Sequence, residues 1–294
     1  MQDEIFLSYV IPSYNHSKYI ESVLDSIKKD GDKILYNYEI VIVDDGSSDN
    51  SAEVIQRWID NNREVICQFH QQENKGIAAT LNKLYSLSEG EFVRPCSSDD
   101  LIIDGSSSVL LDEIRGGVAC IFGDGILIDD NNDLISKSSI DYHRGLKRDL
   151  MYDKKINKSL IERWCVAGPS LLLRKSFIEN FKYDETARID DIDLFLTLLR
   201  TSSVQYIDIP VCKYRIHTSN TSKTNNTSNR IKNLQSFGRL LNKHSHVFSD
   251  RVLRNALLGQ ELKNKAKIYF LQKKYFYTCV YFILYLLKKY SLGF

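Results

Sequence analysis

The sequence shows neither the pattern of a secretory signal at its start nor an apolar run long enough for a membrane-spanning helix. No basic stretch followed by an apolar core opens the chain, and residues 1–4 read Met-Gln-Asp-Glu. The uncharged run Tyr275–Leu287 has 13 residues, whereas a membrane-spanning helix needs about 20. We therefore expect neither a secretory signal nor a transmembrane helix.

Closely spaced cysteines are also missing. The six cysteines are scattered along the chain, which excludes a small disulfide framework and the usual cysteine spacing of zinc sites. Reduced thiols and a cytoplasmic location are the simplest interpretation. The formal net charge is +1, which gives no indication of a nucleic-acid partner.

The chain does have the length and apolar content to form a large core. Its 294 residues are 43% hydrophobic and 26% charged, which is ordinary for a globular protein. This length allows one large domain, or one domain with an appendage.

The first hundred residues alternate short apolar strands with amphipathic helices. Strands are predicted at about 7–11, 39–43, 65–69 and 91–95, and the intervening helices carry apolar residues at helical spacing. This alternation predicts an α/β fold with a mostly parallel central sheet and right-handed crossovers. Polar or acidic loops follow the strands, at the edge where open sheets bind nucleotides.

An acidic stretch, rather than a glycine-rich loop, is the candidate phosphate site. The sequence contains neither G-x-G-x-x-G nor G-x-x-x-x-G-K-S/T. Instead, Asp99 and Asp100 follow the fourth predicted strand. Adjacent carboxylates repel each other unless a cation joins them, and hard oxygen ligands suit Mg²⁺ or Mn²⁺. The stretch therefore predicts either a metal-held diphosphate or an acidic turn that caps the next helix.

The second half of the chain is less regular. We expect a hairpin over 126–135, a charged and irregular segment over 137–163, and a helix over about 189–199. Asp190, Asp191 and Asp193 lie at the start of that helix. Acids there are favoured by the helix dipole by about 0.3–1 kcal/mol each, so they need no function. The alternative is that one of them is a general base.

Five segments in order carry a family resemblance. They are SYVIPSYN (8–15), IVIVDDGSSDNS (40–51), ENKGIAATLN (73–82), GEFVRPCSSDD (90–100) and IDDIDLFLTLL (189–199). Together they resemble the family 2 inverting glycosyltransferases, which have the GT-A fold. The resemblance implies a nucleotide-sugar donor, most often UDP-linked, and Mn²⁺ or Mg²⁺ as cofactor. It also implies a saccharide or lipid-linked saccharide acceptor, as in bacterial surface polysaccharide synthesis such as O-antigen or capsule.

The resemblance assigns four residues to the nucleotide. Pro12 and Tyr14 resemble residues that line the base pocket, and Asp45 resembles the carboxylate that binds the uracil or ribose. Lys75 lies where the family often has a basic residue near the nucleotide.

It assigns four more to the metal and the reaction. Asp99 and Asp100 resemble the D-x-D region, with the sugar or ribose on one and the metal on the other. His217 resembles a C-terminal histidine that helps to hold the metal or diphosphate, and Asp191 resembles the catalytic base. Ser97 replaces the first acid of the common Asp-Ser-Asp-Asp form, which leaves open how many carboxylates contact the metal.

The C-terminal region has its own composition. We predict a GT-A domain over 1–225 and a helical region over 226–294. Residues 251–294 contain nine Lys or Arg and one acid, and nine aromatic residues lie within 269–290. The segment 269–290 fits an interfacial helix on the inner face of the cell membrane, or a helical hairpin packed on the domain or on a second subunit as a homodimer.

Two alternatives to an enzyme stay open at the sequence level. The chain could bind a nucleotide-sugar without turning it over, because Ser97 replaces an acid. It could also be a peripheral membrane assembly module in which the basic, aromatic tail is the functional part.

Overall fold

The computed structural model describes residues 4–186, 191–201, 203–217 and 226–290. Asp190 and most of the polar loop predicted after His217 lie outside these ranges. Within them, the strand and helix alternation predicted for the first hundred residues is confirmed.

Four parallel strands form the N-terminal half of the sheet. They are β1 (Leu7–Ser13), β2 (Tyr38–Asp44), β3 (Ile66–Gln71) and β4 (Phe92–Pro95), and they alternate with α1 (Ile20–Gly31), α2 (Ser51–Asn61) and α3 (Ile77–Leu87). β1 pairs with β2 on one side and β4 on the other, and β3 pairs with β2. The spatial order β3-β2-β1-β4 brings the carboxyl ends of all four strands to the same edge.

The second half extends this sheet with mixed strand directions. Its strands are β5 (Leu101–Ile102), β6 (Val118–Ile128), β7 (Leu134–Ser136), β8 (Leu171–Arg174) and β9 (Ser203–Arg215). β8 runs antiparallel between β4 and β6, and β6 then pairs with β9 in parallel. The predicted hairpin is confirmed, because Ile128 pairs with Leu134 in antiparallel register.

The remaining helices follow the strands. They are α4 (Ser106–Glu113), α5 (Ser139–Tyr142), α6 (Lys147–Leu150), α7 (Asp153–Glu162), a single 3₁₀ turn (Gly168–Ser170), α8 (Lys175–Ile178), α9 (Asp191–Thr201), α10 (Thr227–Ser245), α11 (Arg251–Leu271) and α12 (Tyr275–Tyr290). The prediction of an irregular segment over 137–163 was wrong, since α5, α6 and α7 lie there. Ile156 and Leu160 are one helical turn apart and buried, but this apolar stripe is too short to stand out among the charges.

Helices cover both faces of the sheet. In β2, Ile40 and Ile42 face a cluster built with α1, α2 and α4, while Val41 and Val43 face a cluster built with α3, α7 and α9. This division follows from the strand period of two residues. Strands buried on both faces are continuously apolar, which explains why β2 has no polar alternation.

The C-terminal helices extend the second of these layers. Leu240 of α10 and Leu257 of α11 belong to the same buried cluster as Phe195 of α9. α12 then packs along α11. The division of the chain into two domains at residue 225 stays a prediction. In the described part of the chain, no helix is long and apolar enough to cross a membrane.

A buried ion pair connects β4 to α1. Arg94 is fully buried, and its guanidinium donates to Asp30 Oδ2 at 3.2 Å and to the Val211 carbonyl at 2.8 Å. The Tyr9 hydroxyl donates to the same carboxylate oxygen at 2.7 Å. Burial and the Asp30 carboxylate raise the pKa of Tyr9 well above its usual value, so this hydroxyl stays protonated. The strand that leads into the acidic stretch is therefore held by charge as well as by packing.

Replacing Arg94 with methionine should lower the free energy of unfolding by about 3–5 kcal/mol, because the Asp30 carboxylate would stay buried without its cation. Urea unfolding at neutral pH measures the change. The control Arg57→Met removes an exposed arginine that is 3.8 Å from Glu21, and its effect should not exceed about 1 kcal/mol. Equal losses in the two variants would contradict a stabilising role for the buried pair.

Candidate functional site

Two loops at the carboxyl edge of the sheet are hydrogen-bonded to each other. Asn15 adopts a φ of 55°, and its side-chain oxygen accepts from the Ser48 amide at 2.7 Å. The amides of His16 and Ser17 donate to Ser51 Oγ and Asp49 Oδ2, each at 3.0 Å. Asparagine tolerates this left-handed backbone better than most residues. The chain after β1 is thereby turned so that His16 lies at the sheet edge.

Three side chains that can bind a metal meet at this edge. His217 Nε2 lies 2.9 Å from Asp99 Oδ2, and His16 Nε2 lies 3.9 Å from the same oxygen. One ligand atom from each of the three lies within 4.8 Å of the others. Two imidazoles and a carboxylate suit a divalent transition metal better than Mg²⁺, which prefers oxygen ligands. The structure thus brings together Asp99 and His217, which were both predicted, and places His16 beside them as a third possible ligand.

The state of His16 suits a metal ligand. Its Nδ1 lies 2.7 Å from the Ser98 hydroxyl, which leaves Nε2 on the side of Asp99. Metal-binding histidines usually have their other ring nitrogen held in this way. Burial lowers the pKa of His16 more than the Asp99 carboxylate raises it. The imidazole is therefore neutral at pH 7, which is the form that binds metals.

Asp100 lies beside the cluster and has a different environment. Its Oδ1 accepts from the Arg215 amide at 2.7 Å, while Oδ2 is buried with no hydrogen-bond partner among the described residues. Burial raises the pKa of Asp100 well above its usual value, and the charge of Asp99 raises it further. A cation in the cluster would relieve both effects. The predicted metal role of Asp100 stays a prediction, because the three clustered ligands do not include it.

Arg215 holds the acidic stretch in place. Its Nε donates to the Asp99 carbonyl at 2.8 Å and its Nη1 to the Asp129 carbonyl at 2.9 Å. The guanidinium carbon lies 5.0 Å from the centre of the Tyr19 ring, a cation–π contact. The end of β9 thus links the acidic stretch, the β6–β7 turn and the start of α1, and it carries His217 two residues further on.

The predicted nucleotide residues lie on the neighbouring strand ends. Asp45 directly follows β2 and is buried, with Oδ1 accepting from the Lys75 amide and Oδ2 from the Gly76 amide, both at 2.8 Å. The Lys75 side chain is exposed, Tyr14 is 48% exposed, and Pro12 lies in β1 opposite Val43. Asp45 therefore positions the loop before α3, and that loop carries Lys75.

Asp191 is the first residue of α9 and is held by a tryptophan. Its Oδ2 accepts from Trp164 Nε1 at 2.8 Å, and its Oδ1 accepts from the Ile192 amide at 2.8 Å. The Trp164 ring packs edge-on against Phe195, with ring centres 4.5 Å apart. The carboxylate therefore has a set orientation and lies at the positive end of the helix dipole.

His16, Arg215 and the Trp164–Asp191 bond were missed in the sequence. His16 could have been suspected, because it follows the first strand and parallel strands end at the same edge. Arg215 and Trp164 have no comparable local signal, because their partners lie 116 and 27 residues away.

A comparison with protein-family models shows which family the chain belongs to. The model of Glycosyl transferase family 2 matches residues 8–181, which is more than half of the chain. The chain belongs to glycosyl transferase family 2. The predicted family is confirmed, and the matched range contains every site residue predicted from the sequence except Asp191 and His217.

The alignment with one curated relative shows how much of a similar protein this family 2 chain covers. It is 28% identical over 210 residues to the GalNAc(5)-diNAcBac-PP-undecaprenol beta-1,3-glucosyltransferase of Campylobacter jejuni. The alignment covers 71% of this chain and 64% of the relative, so the relative is considerably longer than the part matched.

Two solved structures share the fold of the family 2 chain. S. aureus TarS 1–349 in complex with UDP-GlcNAc superposes with a TM-score of 0.68 at 16% identity, covering 90% of this chain and 73% of TarS 1–349. Mannosyltransferase PcManGT from Pyrobaculum calidifontis, in complex with GDP-Man and Mn²⁺, gives 0.66 at 16% identity, with 91% and 73% covered. The predicted GT-A type α/β fold is confirmed.

His16→Gln should raise the Mn²⁺ concentration at half-saturation by at least about tenfold, since changes around metal ligands typically cost 10–100-fold in affinity. Isothermal titration with Mn²⁺ in the presence of UDP measures the change. His246→Gln is the matched control, because His246 is exposed on the turn after α10. An unchanged Mn²⁺ affinity would remove His16 from the metal site.

Proposed function

We propose that this chain transfers a sugar from a nucleotide diphosphate sugar to a saccharide hydroxyl, with inversion at the anomeric carbon. The observation that carries the proposal is the His16–Asp99–His217 cluster at the carboxyl edge of a family 2 fold. Ligands in open α/β sheets bind at this edge. Asp191, held at the start of α9, supplies a carboxylate for proton transfer.

The nucleotide is assigned to the ends of β1 and β2. Tyr14 and Pro12 would contact the base, and Asp45 would contact the uracil or ribose at the edge of the loop that it holds. Lys75, which is exposed on that loop, would balance the charge of the phosphates. A UDP-linked donor is the preferred candidate, because TarS was solved in complex with UDP-GlcNAc.

The diphosphate is assigned to the cation-binding cluster. Asp99, His217 and His16 would hold Mn²⁺ or Mg²⁺, and the buried Asp100 would add a nearby negative charge. When bound, the cation neutralises the negative charge that develops on the departing diphosphate. Arg215 keeps the backbone of Asp99 in position, so the carboxylate does not have to reorganise during the reaction.

Asp191 is proposed as the general base. The acceptor hydroxyl loses its proton while it attacks the anomeric carbon, and a positioned carboxylate typically speeds such a step by about 10²–10⁴-fold. Attack from the face opposite the diphosphate inverts the anomeric centre, so no second catalytic carboxylate is needed. Trp164 orients Asp191 through its indole N–H.

The acceptor is proposed to be a saccharide of bacterial surface polysaccharide synthesis. The name of the Campylobacter jejuni relative gives a saccharide on undecaprenol diphosphate as its acceptor, and we propose an acceptor of that chemical class here. A cytoplasmic location is part of the proposal, because all six cysteines are free, as in proteins of a reducing compartment.

A thermal-shift screen followed by turnover tests the proposal. A ligand that binds the native state raises its apparent stability by about RT ln(1 + [L]/Kd). We expect a UDP-sugar to shift the melting temperature with Mn²⁺ and much less with EDTA, and the same sugar to be released or transferred. Binding without turnover would favour a nucleotide-sugar-binding module, and no shift with any nucleotide sugar would refute the proposal.

A further inference from the structure

The outer face of α12 is apolar and exposed. Phe276, Val280, Ile283 and Leu287 are all exposed, Phe276 by 75% and Leu287 by 62%. Their spacing of four, three and four residues places them in one stripe along the helix. Soluble proteins rarely expose a continuous apolar surface of this kind without a partner.

The opposite face of α12 already has its partner. Tyr281 stacks on Tyr269 of α11 with ring centres 5.3 Å apart, and Tyr285 lies against Gly259 of the same helix, where a Cβ would come within 3.9 Å of its ring. The side that packs on the protein is therefore aromatic and occupied. The stripe is the side turned away from α11, so packing against the described residues does not account for it.

Positive charge surrounds the stripe. Lys273 and Lys274 precede α12, and Lys288 and Lys289 lie in its last turn. The segment 269–290 contains these four lysines and no Asp or Glu. Apolar residues on one face with lysines at both ends are typical of helices that lie in the headgroup region of an anionic membrane.

The length of α12 fits a helix that lies flat on a membrane and excludes a helix that spans one. A helix of 16 residues is too short to cross a bilayer, which takes about 20. Lying flat, such a helix can bury its apolar face about 5–10 Å deep in the headgroup boundary.

We propose that the outer face of α12 docks the protein on an anionic lipid surface. The charges favour lipid over a second copy of the chain. Symmetric pairing of two such faces would bring the lysines at the ends of one α12 close to those of the other, and like charges across an interface are unfavourable. The proposal goes beyond the sugar-transfer reaction, because docking needs neither donor, metal nor acceptor.

Co-sedimentation of the full chain with vesicles tests the docking. We expect binding to vesicles of phosphatidylcholine and phosphatidylglycerol, weaker binding to phosphatidylcholine alone, and loss of binding at high salt. The double variant Ile283→Glu/Leu287→Glu should partition at least about tenfold less, since two apolar side chains can no longer be buried. The control Leu35→Glu changes a leucine that is 95% exposed elsewhere, and it should bind as the wild type does.

Several outcomes would overturn the docking. Wild-type protein that stays in solution with both vesicle types would do so, as would equal partitioning of the double variant. Light scattering tests a third outcome, in which the wild type is a dimer, the double variant is a monomer, and neither binds vesicles. That result would make the face an interface between copies of the chain. Circular dichroism confirms that each variant is folded. Turnover on a soluble acceptor, assayed separately, reports on the proposed reaction and not on docking.

Discussion

Replacing Asp191 with asparagine should lower the rate of sugar transfer by about 10²–10⁴-fold and leave the affinity for the donor unchanged. The amide has nearly the same shape as the carboxylate, but it cannot take a proton from the acceptor hydroxyl. Its remaining oxygen can still accept from Trp164 Nε1, so the local structure should survive. Steady-state kcat, with donor affinity from isothermal titration, measures both parts.

Two further variants make the Asp191 result specific. Asp112→Asn is the matched control, because Asp112 is an exposed carboxylate on α4 and should not matter. Trp164→Phe keeps a ring against Phe195 but removes the indole N–H, so kcat should fall less than with Asp191→Asn. Normal turnover in Asp191→Asn would show that another group accepts the proton.

Asp99→Asn should lower transfer by at least about 10³-fold and also abolish the effect of Mn²⁺ on donor binding. Asp99 is the one carboxylate among the three clustered ligands, and both histidines lie within 4 Å of its Oδ2. Without its charge, only the two imidazoles would remain to hold the cation. Thermal shift with UDP, measured with and without Mn²⁺, reports the loss without requiring turnover.

Asp104→Asn is the control for this variant, because Asp104 is exposed and only five residues further along the chain. It should keep both the Mn²⁺ response and the activity. A full Mn²⁺ response in Asp99→Asn would place the cation elsewhere and remove the basis of the proposed site.

Together the two substitutions separate the two halves of the proposed reaction. Asp191→Asn should bind the donor with Mn²⁺ but not transfer the sugar, whereas Asp99→Asn should lose metal-dependent binding and transfer alike. If both variants lost donor binding, Asp191 would contribute to the donor site and not to proton transfer. If neither did, the cluster at the sheet edge would not be the donor site.

The sequence was sufficient to predict the helices and strands that have a local pattern of apolar residues. The apolar run in β2 and the stripe of apolar residues in α1 predict their structures without reference to the rest of the chain. The order of the five motifs was sufficient to predict the family. Through that resemblance it also predicted two of the three clustered residues, Asp99 and His217. It also pointed to Asp45 and Lys75, which are in contact through the Lys75 amide.

Only the tertiary structure decided which side chains meet. His16 joins Asp99 because the loop after β1 is turned by Asn15 and held by the loop after β2, and no periodicity encodes such a contact. Trp164 bonds to Asp191 from 27 residues away along the chain, and no local sequence pattern pairs these two side chains. Local patterns set where helices and strands form, whereas a binding site depends on strand order and loop contacts between distant parts of the chain, which become definite only when the core packs.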